Sequence, residues 1–170
     1  MTRATKISNV NDVRVIEGNG PWDTKSGGKL NVLFELPYEV IAKYLTYDQN
    51  ELDVLPVDIR GLRAYSVHDT PKGKIGANEW HKIRNELIFT TKGAIQWTCE
   101  DTQGNKKTFI LDGHNGIWVP PFTLHTYEAL EPESSLLVVA NTLFNPEDAS
   151  TQDTFSIETF RELQLRHASH

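Results

Sequence analysis

The chain has one cysteine, Cys99, and one methionine among its 170 residues. A lone cysteine excludes an intramolecular disulfide framework and any zinc site built on paired thiolates. Long apolar runs are missing too: none approaches the ~18 residues needed to span a bilayer. Met1 to Val10 lacks the apolar stretch of a secretion signal, so a cytoplasmic location is the expectation. Cations are scarce and scattered. Lys and Arg number 17 against 23 Asp and Glu, and the net charge of −6 argues against a nucleic-acid surface. Lys106-Lys107 reads as a solvated hairpin flank. No internal repeat and no low-complexity tract divides the chain. These exclusions leave a single domain over residues 1–170, large enough to bury a core without staples, with a small molecule as its expected partner.

Short apolar runs alternate with turn chemistry along most of the sequence. Val13 to Ile16 and Leu30 to Phe34 read as strands, separated by Gly18-Asn19-Gly20-Pro21 and Ser26-Gly27-Gly28. Pro37 to Leu45 is ambiguous: Pro suits a first helical position, and Val40, Ile41, Tyr44 and Leu45 share one helical face. Leu62 to Val67, Glu86 to Thr90, Ala94 to Glu100, Lys107 to Leu111, Ile117 to Val119, His125 to Tyr127 and Leu136 to Ala140 read as further strands. Ile95, Trp97 and Cys99 share one face of theirs, Gln96 and Thr98 the other. Many short strands at even spacing predict an all-β antiparallel sandwich or barrel. Asp153 to Leu165 has helical spacing and predicts a short C-terminal amphipathic helix, with Arg166 to His170 as a frayed tail.

Four polar residues are spaced to meet. Glu79 and His81 are two apart, so on a strand both point to one face. Lys82 to Asn85 then forms a turn and Glu86 opens the next strand, followed by Gly93. His125 comes after a Pro120-Pro121 corner that fixes the entry angle of its strand. Two His and two carboxylates suit Fe(II), Mn(II), Ni(II) or Zn(II); taken singly, each reads more readily as a surface or strand-end residue. His68, at a strand end, either lines the same mouth or is an ordinary polar residue. Glu86, His68, Trp97 and Tyr127 are the candidates for holding substrate. Trp80, Trp97 and Trp118 read first as core, with stacking on a sugar ring as the alternative. Cys99 reads as a small core residue. His114 reads as solvated, and the tail residues His167 and His170 as adventitious metal binders at most.

The pattern E-x-H-x4-E-x6-G, with Pro120-Pro121-Phe122-Thr123-Leu124-His125 downstream, resembles the two-part cupin signature H-x-H-x3,4-E-x6-G and P-x-G-x2-H. From about residue 54 to residue 165 the chain also resembles the WxcM-like sugar 3,4-ketoisomerases, cupin-fold enzymes acting on dTDP-4-keto-6-deoxyglucose. Leu55-Pro56-Val57-Asp58-Ile59 is similar to the family's I-P-F-x-I. Gly76 to Lys82 stands where it writes R-G-x-H-A-H-K, and Pro120 to His125 where it writes P-x-x-x-W-H. Leu136 to Ala140, Phe144 to Asp148 and Phe155 to Leu163 are similar to L-L-V-L-A-S, Y-D-E-x-D-Y and the closing Y-D-x-F-L helix. The resemblance implies an RmlC-like jelly-roll barrel and a dimer. Gly76 replaces the family's Arg and Glu79 its first His. No Arg stands near Gly27-Gly28-Lys29-Leu30, where the family writes R-G-S-L. His81 and His125 carry over. Residues 37–54 read as an insertion, and 55–165 as core barrel with terminal helix.

A 3,4-ketoisomerase moves a carbonyl through an enediol, which needs a base, a second acid and a group that polarises the carbonyl. The main expectation is an isomerase or epimerase acting on a nucleotide-activated keto-sugar. His81 is then the principal base, Glu79 stands in for the missing His, and His125 completes the catalytic set; no cofactor is required. With the family's Arg absent, polarisation falls to another donor or to a metal. The first alternative is therefore a metal-dependent cupin enzyme, such as a dioxygenase, with Glu79, His81, Glu86 and His125 as ligands. The second is a non-catalytic sugar-binding cupin. Residues 1–36 hold two strands that the signature does not need. Such an extension often covers a partner's sheet edge, so a homodimer is expected.

Overall fold

In the computed structural model, which describes residues 7–168, the alternating runs form two five-stranded antiparallel sheets. In chain order the strands are β1 (Arg14–Glu17), β2 (Asn19–Asp23), β3 (Lys29–Val32), β4 (Arg60–Thr70), β5 (Ile75–Trp80), β6 (Glu86–Lys92), β7 (Ile95–Glu100), β8 (Lys106–Leu111), β9 (Asn115–Val119), β10 (Leu124–Ala129), β11 (Ser134–Thr142) and β12 (Phe155–Ser156). The first sheet runs β1-β9-β6-β11-β4 and the second β12-β5-β10-β7-β8, while β2 and β3 pair separately. This is the expected all-β, jelly-roll class; the two sheets are not joined into one closed ladder. Among the described residues three α-helices accompany them: α1 (Tyr38–Leu45), α2 (Gln49–Val54) and α3 (Ile157–Ala168). Among the described residues no helix is long and apolar enough to cross a membrane.

Side-chain alternation decides what lies between the sheets. Ile88, Trp97, Cys99, Ile117, Tyr127 and Val138, drawn from strands of both sheets, form the central core. In the middle strand β6 both faces are covered. Ile88 joins this core, while Leu87 and Phe89 join a second cluster with Leu33, Phe34, Ile41, Tyr44 and Leu45. Glu86 shares the inward parity of Ile88, which puts a carboxylate inside. Each large apolar side chain so buried contributes about 1.5–3 kcal/mol.

Residues 37–54 form a cover. α1 begins at Tyr38, with Pro37 as its N-cap and not its first helical residue, one position later than the sequence suggested, and lays its apolar face on β6 and β9. Tyr44 stacks on Trp118 at 4.4 Å and Phe34 on Phe89 at 5.2 Å. α2 was not read from the sequence, although it carries a local signal. Asp48 and Glu51 form a reciprocal capping box, with Glu51 N–H donating to Asp48 Oδ1 at 2.8 Å.

α3 starts at Ile157, four residues after the predicted start, and stays helical to Ala168 rather than fraying from Arg166. Phe155 and Ser156 are instead a strand, paired with Trp80 and Glu79. α3 packs Phe160 and Leu163 over Trp80 and Leu124. The Trp80 indole donates to Ser156 O at 3.1 Å and Thr159 Oγ1 at 3.0 Å. Trp80 is thereby pinned outward, and its neighbours Glu79 and His81 face inward.

Candidate active site

Glu79 and His125 are direct partners across β5 and β10, so their side chains share the inner face of the second sheet. A bulge precedes Glu79: Thr126 pairs with Ala77, and Asn78 is the extra residue. Ala77 and Asn78 both have left-handed backbones, φ 60° and 67°. For an Ala such a conformation costs on the order of 1–3 kcal/mol, and bulges of this kind re-aim side chains.

From the first sheet, Glu86 enters the same space. Its Oε2 lies 3.5 Å from His81 Nε2 and 3.5 Å from His125 Nε2. Glu79 Oε1 lies 3.9 Å from His81 Nε2. The two imidazoles are 5.1 Å apart. His81, His125 and Glu86 are buried, whereas the Glu79 side chain is 32% exposed and is the one that meets solvent. One ligand atom each from Glu79, His81 and His125 falls within 4.8 Å of the others.

Both imidazoles are oriented by carbonyls. His81 Nδ1–H donates to Asp153 O at 2.6 Å and His125 Nδ1–H to Thr123 O at 3.1 Å. With Nδ1 so committed, each ring offers Nε2 to the cavity. Asp153 does more. Its carboxylate accepts the backbone N–H groups of Lys82, Ile83 and Arg84 at 2.9, 3.0 and 2.8 Å, fixing the turn between β5 and β6.

Several residues of the cluster were not singled out from the sequence. Arg84 is buried and donates to Glu86 Oε1 at 3.3 Å and Thr142 Oγ1 at 3.2 Å, with His81 Nε2 at 3.5 Å. Tyr65 donates to Glu86 Oε1 at 2.9 Å. Arg63 lies two residues before Tyr65, on the same face of β4. A parity signal existed: Arg84 and Glu86 are two apart, as are Arg63, Tyr65 and Val67. Asp153 had no local signal, because its partners are about 70 residues away.

Burial alone would raise the Glu86 carboxyl pKa. His81, His125 and Arg84 outweigh it and hold it well below the usual range. Burial pushes His125 down to about 4, helped by His81 and Arg84 and opposed by Glu86. His125 is therefore neutral at pH 7. Burial, and then Glu86, push the Tyr65 phenol up.

The other expected residues fall elsewhere. His68 is exposed, hydrogen-bonded to Ser66 at 2.7 Å, and has the outward parity of β4; it does not line the cavity. Trp97, 3% exposed, stacks between His125 (5.4 Å) and Tyr127 (5.8 Å). Trp97 and Tyr127 thus back the imidazole and offer a ligand little surface. Cys99 is a buried thiol whose pKa burial pushes up to about 12. At Gly76 an added Cβ would lie 2.3 Å from Tyr127 Cζ and 2.5 Å from its Cε1, so that ring crowds out a side chain there. Trp80 and Trp118 are packing residues, and His114 sits beside the end of β8 in a turn. His167 is half-buried on α3, and His170 lies outside the described residues.

The family model FdtA: WxcM-like, C-terminal, matches residues 33–159. No curated protein sequence matches. Among solved structures, a 3,4-ketoisomerase from Helicobacter canadensis has a TM-score of 0.60 at 13% identity, covering 91% of this chain and 98% of that one. A variant of the 3,4-ketoisomerase QdtA from Thermoanaerobacterium thermosaccharolyticum, in complex with TDP-4-keto-6-deoxyglucose, gives 0.60 at 17%, covering 93% and 98%. The 3,5-epimerase RmlC from Legionella pneumophila, in complex with dTDP-4-keto-L-rhamnose, gives 0.60 at 14%, covering 88% and 74%. At these identities the likeness is one of fold.

Proposed function

The chain belongs to the FdtA family, WxcM-like, C-terminal, and from that premise we propose that it is an isomerase, of 3,4-ketoisomerase or epimerase type, acting on a nucleotide-activated keto-sugar. The setting of His81 supports this most. Its Nδ1 is held by a carbonyl and its Nε2 faces two carboxylates, so protons enter and leave at one atom.

His81 Nε2 takes the proton from the carbon next to the ketone. The C–H pair becomes the C=C bond of an enediolate as the carbonyl pair moves onto oxygen. The neighbouring hydroxyl gives its proton to that oxygen, and the pair left behind forms the new carbonyl. The C=C pair then takes a proton from His81 or Glu79 at the former carbonyl carbon. Glu79 reaches solvent and so relays protons to water. His125, neutral, accepts a hydrogen bond from a sugar hydroxyl at Nε2. Glu86 stays ionised between the imidazoles, held by Arg84 and Tyr65. The test is α-proton exchange of TDP-4-keto-6-deoxyglucose in deuterated water, with His81→Asn and Glu79→Gln as controls. Binding without exchange would favour the non-catalytic reading.

A second reading rests on the 4.8 Å grouping of Glu79, His81 and His125. Two His with carbonyl-held Nδ1 atoms and one carboxylate fit a divalent transition metal. Glu86, expected as a fourth ligand, is not in that group and is engaged by Tyr65 and Arg84. Such a metal would polarise the carbonyl as a Lewis acid. Metal analysis of untagged protein, with loss of metal in both variants, would support it.

The homodimer is part of the proposal. β4 is an edge strand of 11 residues bonded on one side to β11. The β2–β3 ribbon exposes Trp22 and Leu30, at 50% and 48%. A long free edge and an exposed apolar ribbon are what a second copy covers.

A further inference from the structure

We infer that Arg63 binds the anionic oxygen that develops on the substrate when the α-proton leaves, taking the part of the arginine that the family places at position 76. The inference rests on the isomerase reading, and it assigns the one chemical role left open there, polarisation of the carbonyl.

Position 76 is closed to that role, because the Tyr127 ring fills the space a side chain would need. Two other guanidinium groups, of Arg84 and Arg63, lie near the cluster. Arg84 is saturated: Glu86, Thr142 and Thr154 accept from it and His81 Nε2 lies beside it. Arg63 is not. Among the described residues it has no ion pair, and its Nε is buried without a hydrogen-bond partner. A buried guanidinium N–H with no acceptor is costly, on the order of 1–3 kcal/mol, unless a ligand supplies one.

The register shows how Arg63 reaches the chemistry. Arg63, Ala140 and Glu86 form one row across β4, β11 and β6, facing inward. The middle residue is only a methyl, and Tyr65, which packs on the Arg63 guanidinium and donates to Glu86 Oε1 at 2.9 Å, links the two ends of the row. Tyr65 and Phe144 hold the guanidinium from two sides, with ring centroids 5.1 and 5.3 Å away. Arg63 feels Arg84, Glu86 and Glu79 electrostatically, which places it at the same cluster from the opposite sheet to Glu79. Glu86 already has Arg84 as its counter-charge. The unmatched cation therefore awaits one anionic oxygen, and a preformed donor aimed at developing charge is a large contribution to such catalysis.

The test uses the full chain with TDP-4-keto-6-deoxyglucose as substrate and TDP as a ground-state probe. Arg63→Gln is expected to lower kcat for α-proton exchange about 10²–10³-fold. Its TDP affinity should stay within about twofold, and Arg63→Lys should recover part of the rate, with circular dichroism confirming that both variants fold. Exchange at the wild-type rate in Arg63→Gln, with His81→Asn inactive, would overturn the inference and leave the isomerase reading standing. So would a loss of TDP affinity with kcat unchanged, since the anion held would then be the carrier's phosphate. Absence of exchange in the wild type would remove the isomerase reading and this inference together.

Discussion

Asp153 holds His81 twice over: its carbonyl accepts from Nδ1 at 2.6 Å, and its carboxylate accepts three amides of the turn that carries the ring. Asp153→Ala removes the carboxylate and leaves three amides without their acceptor. A loss of about 3 kcal/mol or more is expected in urea denaturation. Asp153→Asn keeps an oxygen for two of the three and should lose about 1–2 kcal/mol.

Acid should destabilise the metal-free protein. His125 drops from 6.5 to about 4 on folding, because burial disfavours its charge. Below pH 6.5 the unfolded chain binds a proton that the folded chain refuses, so stability falls as pH falls from about 6.5 to about 4. The span corresponds to about 3 kcal/mol. Glu86 acts in the same direction at lower pH: its folded pKa is depressed, so its contribution is lost as acid protonates it. Urea midpoints at pH 7.5 and 4.5 should differ, and His125→Asn should flatten the dependence.

Restoring the family residue at position 76 should fail alone. Gly76→Arg drives Cβ into the Tyr127 ring and is expected to destabilise by about 1–3 kcal/mol. Adding Tyr127→Ala makes the space, and the double variant should be more stable than the sum of the singles. Thermal melts of the four proteins give that coupling; strict additivity would mean that the ring does not exclude a side chain.

Parity carried most of what the sequence disclosed. The spacing of Glu79, His81, Glu86 and His125 brought four residues to one cavity because strands alternate and the five residues 81–85 join β5 to β6. The same parity applied to β4 sets Arg63, Tyr65 and Val67 inward and His68 outward, which a reading centred on apolar runs overlooked. Gly93, the glycine of the E-x6-G pattern, has φ 69° in the turn after β6. Asp153 and Thr142 come from distant segments and leave no local trace. α2 announced itself only through a D-x-x-E box, and the start of α3 was misplaced because Asp153 serves the 82–84 amides instead of a helix.

Light scattering at micromolar concentration should return twice the monomer mass of 19.3 kDa. Charged replacements at Trp22 and Leu30 should shift it toward the monomer. A monomer mass for the unaltered protein would count against a second copy covering β4 or the β2–β3 ribbon.

The central assignment is His81 as the base, and one measurement bears on it most directly: the rate at which TDP-4-keto-6-deoxyglucose exchanges its α-proton with deuterated water, followed by proton NMR. The wild-type protein should catalyse exchange, and His81→Asn, still folded, should slow it by about 10²–10⁴. Exchange at the wild-type rate in folded His81→Asn would contradict the assignment.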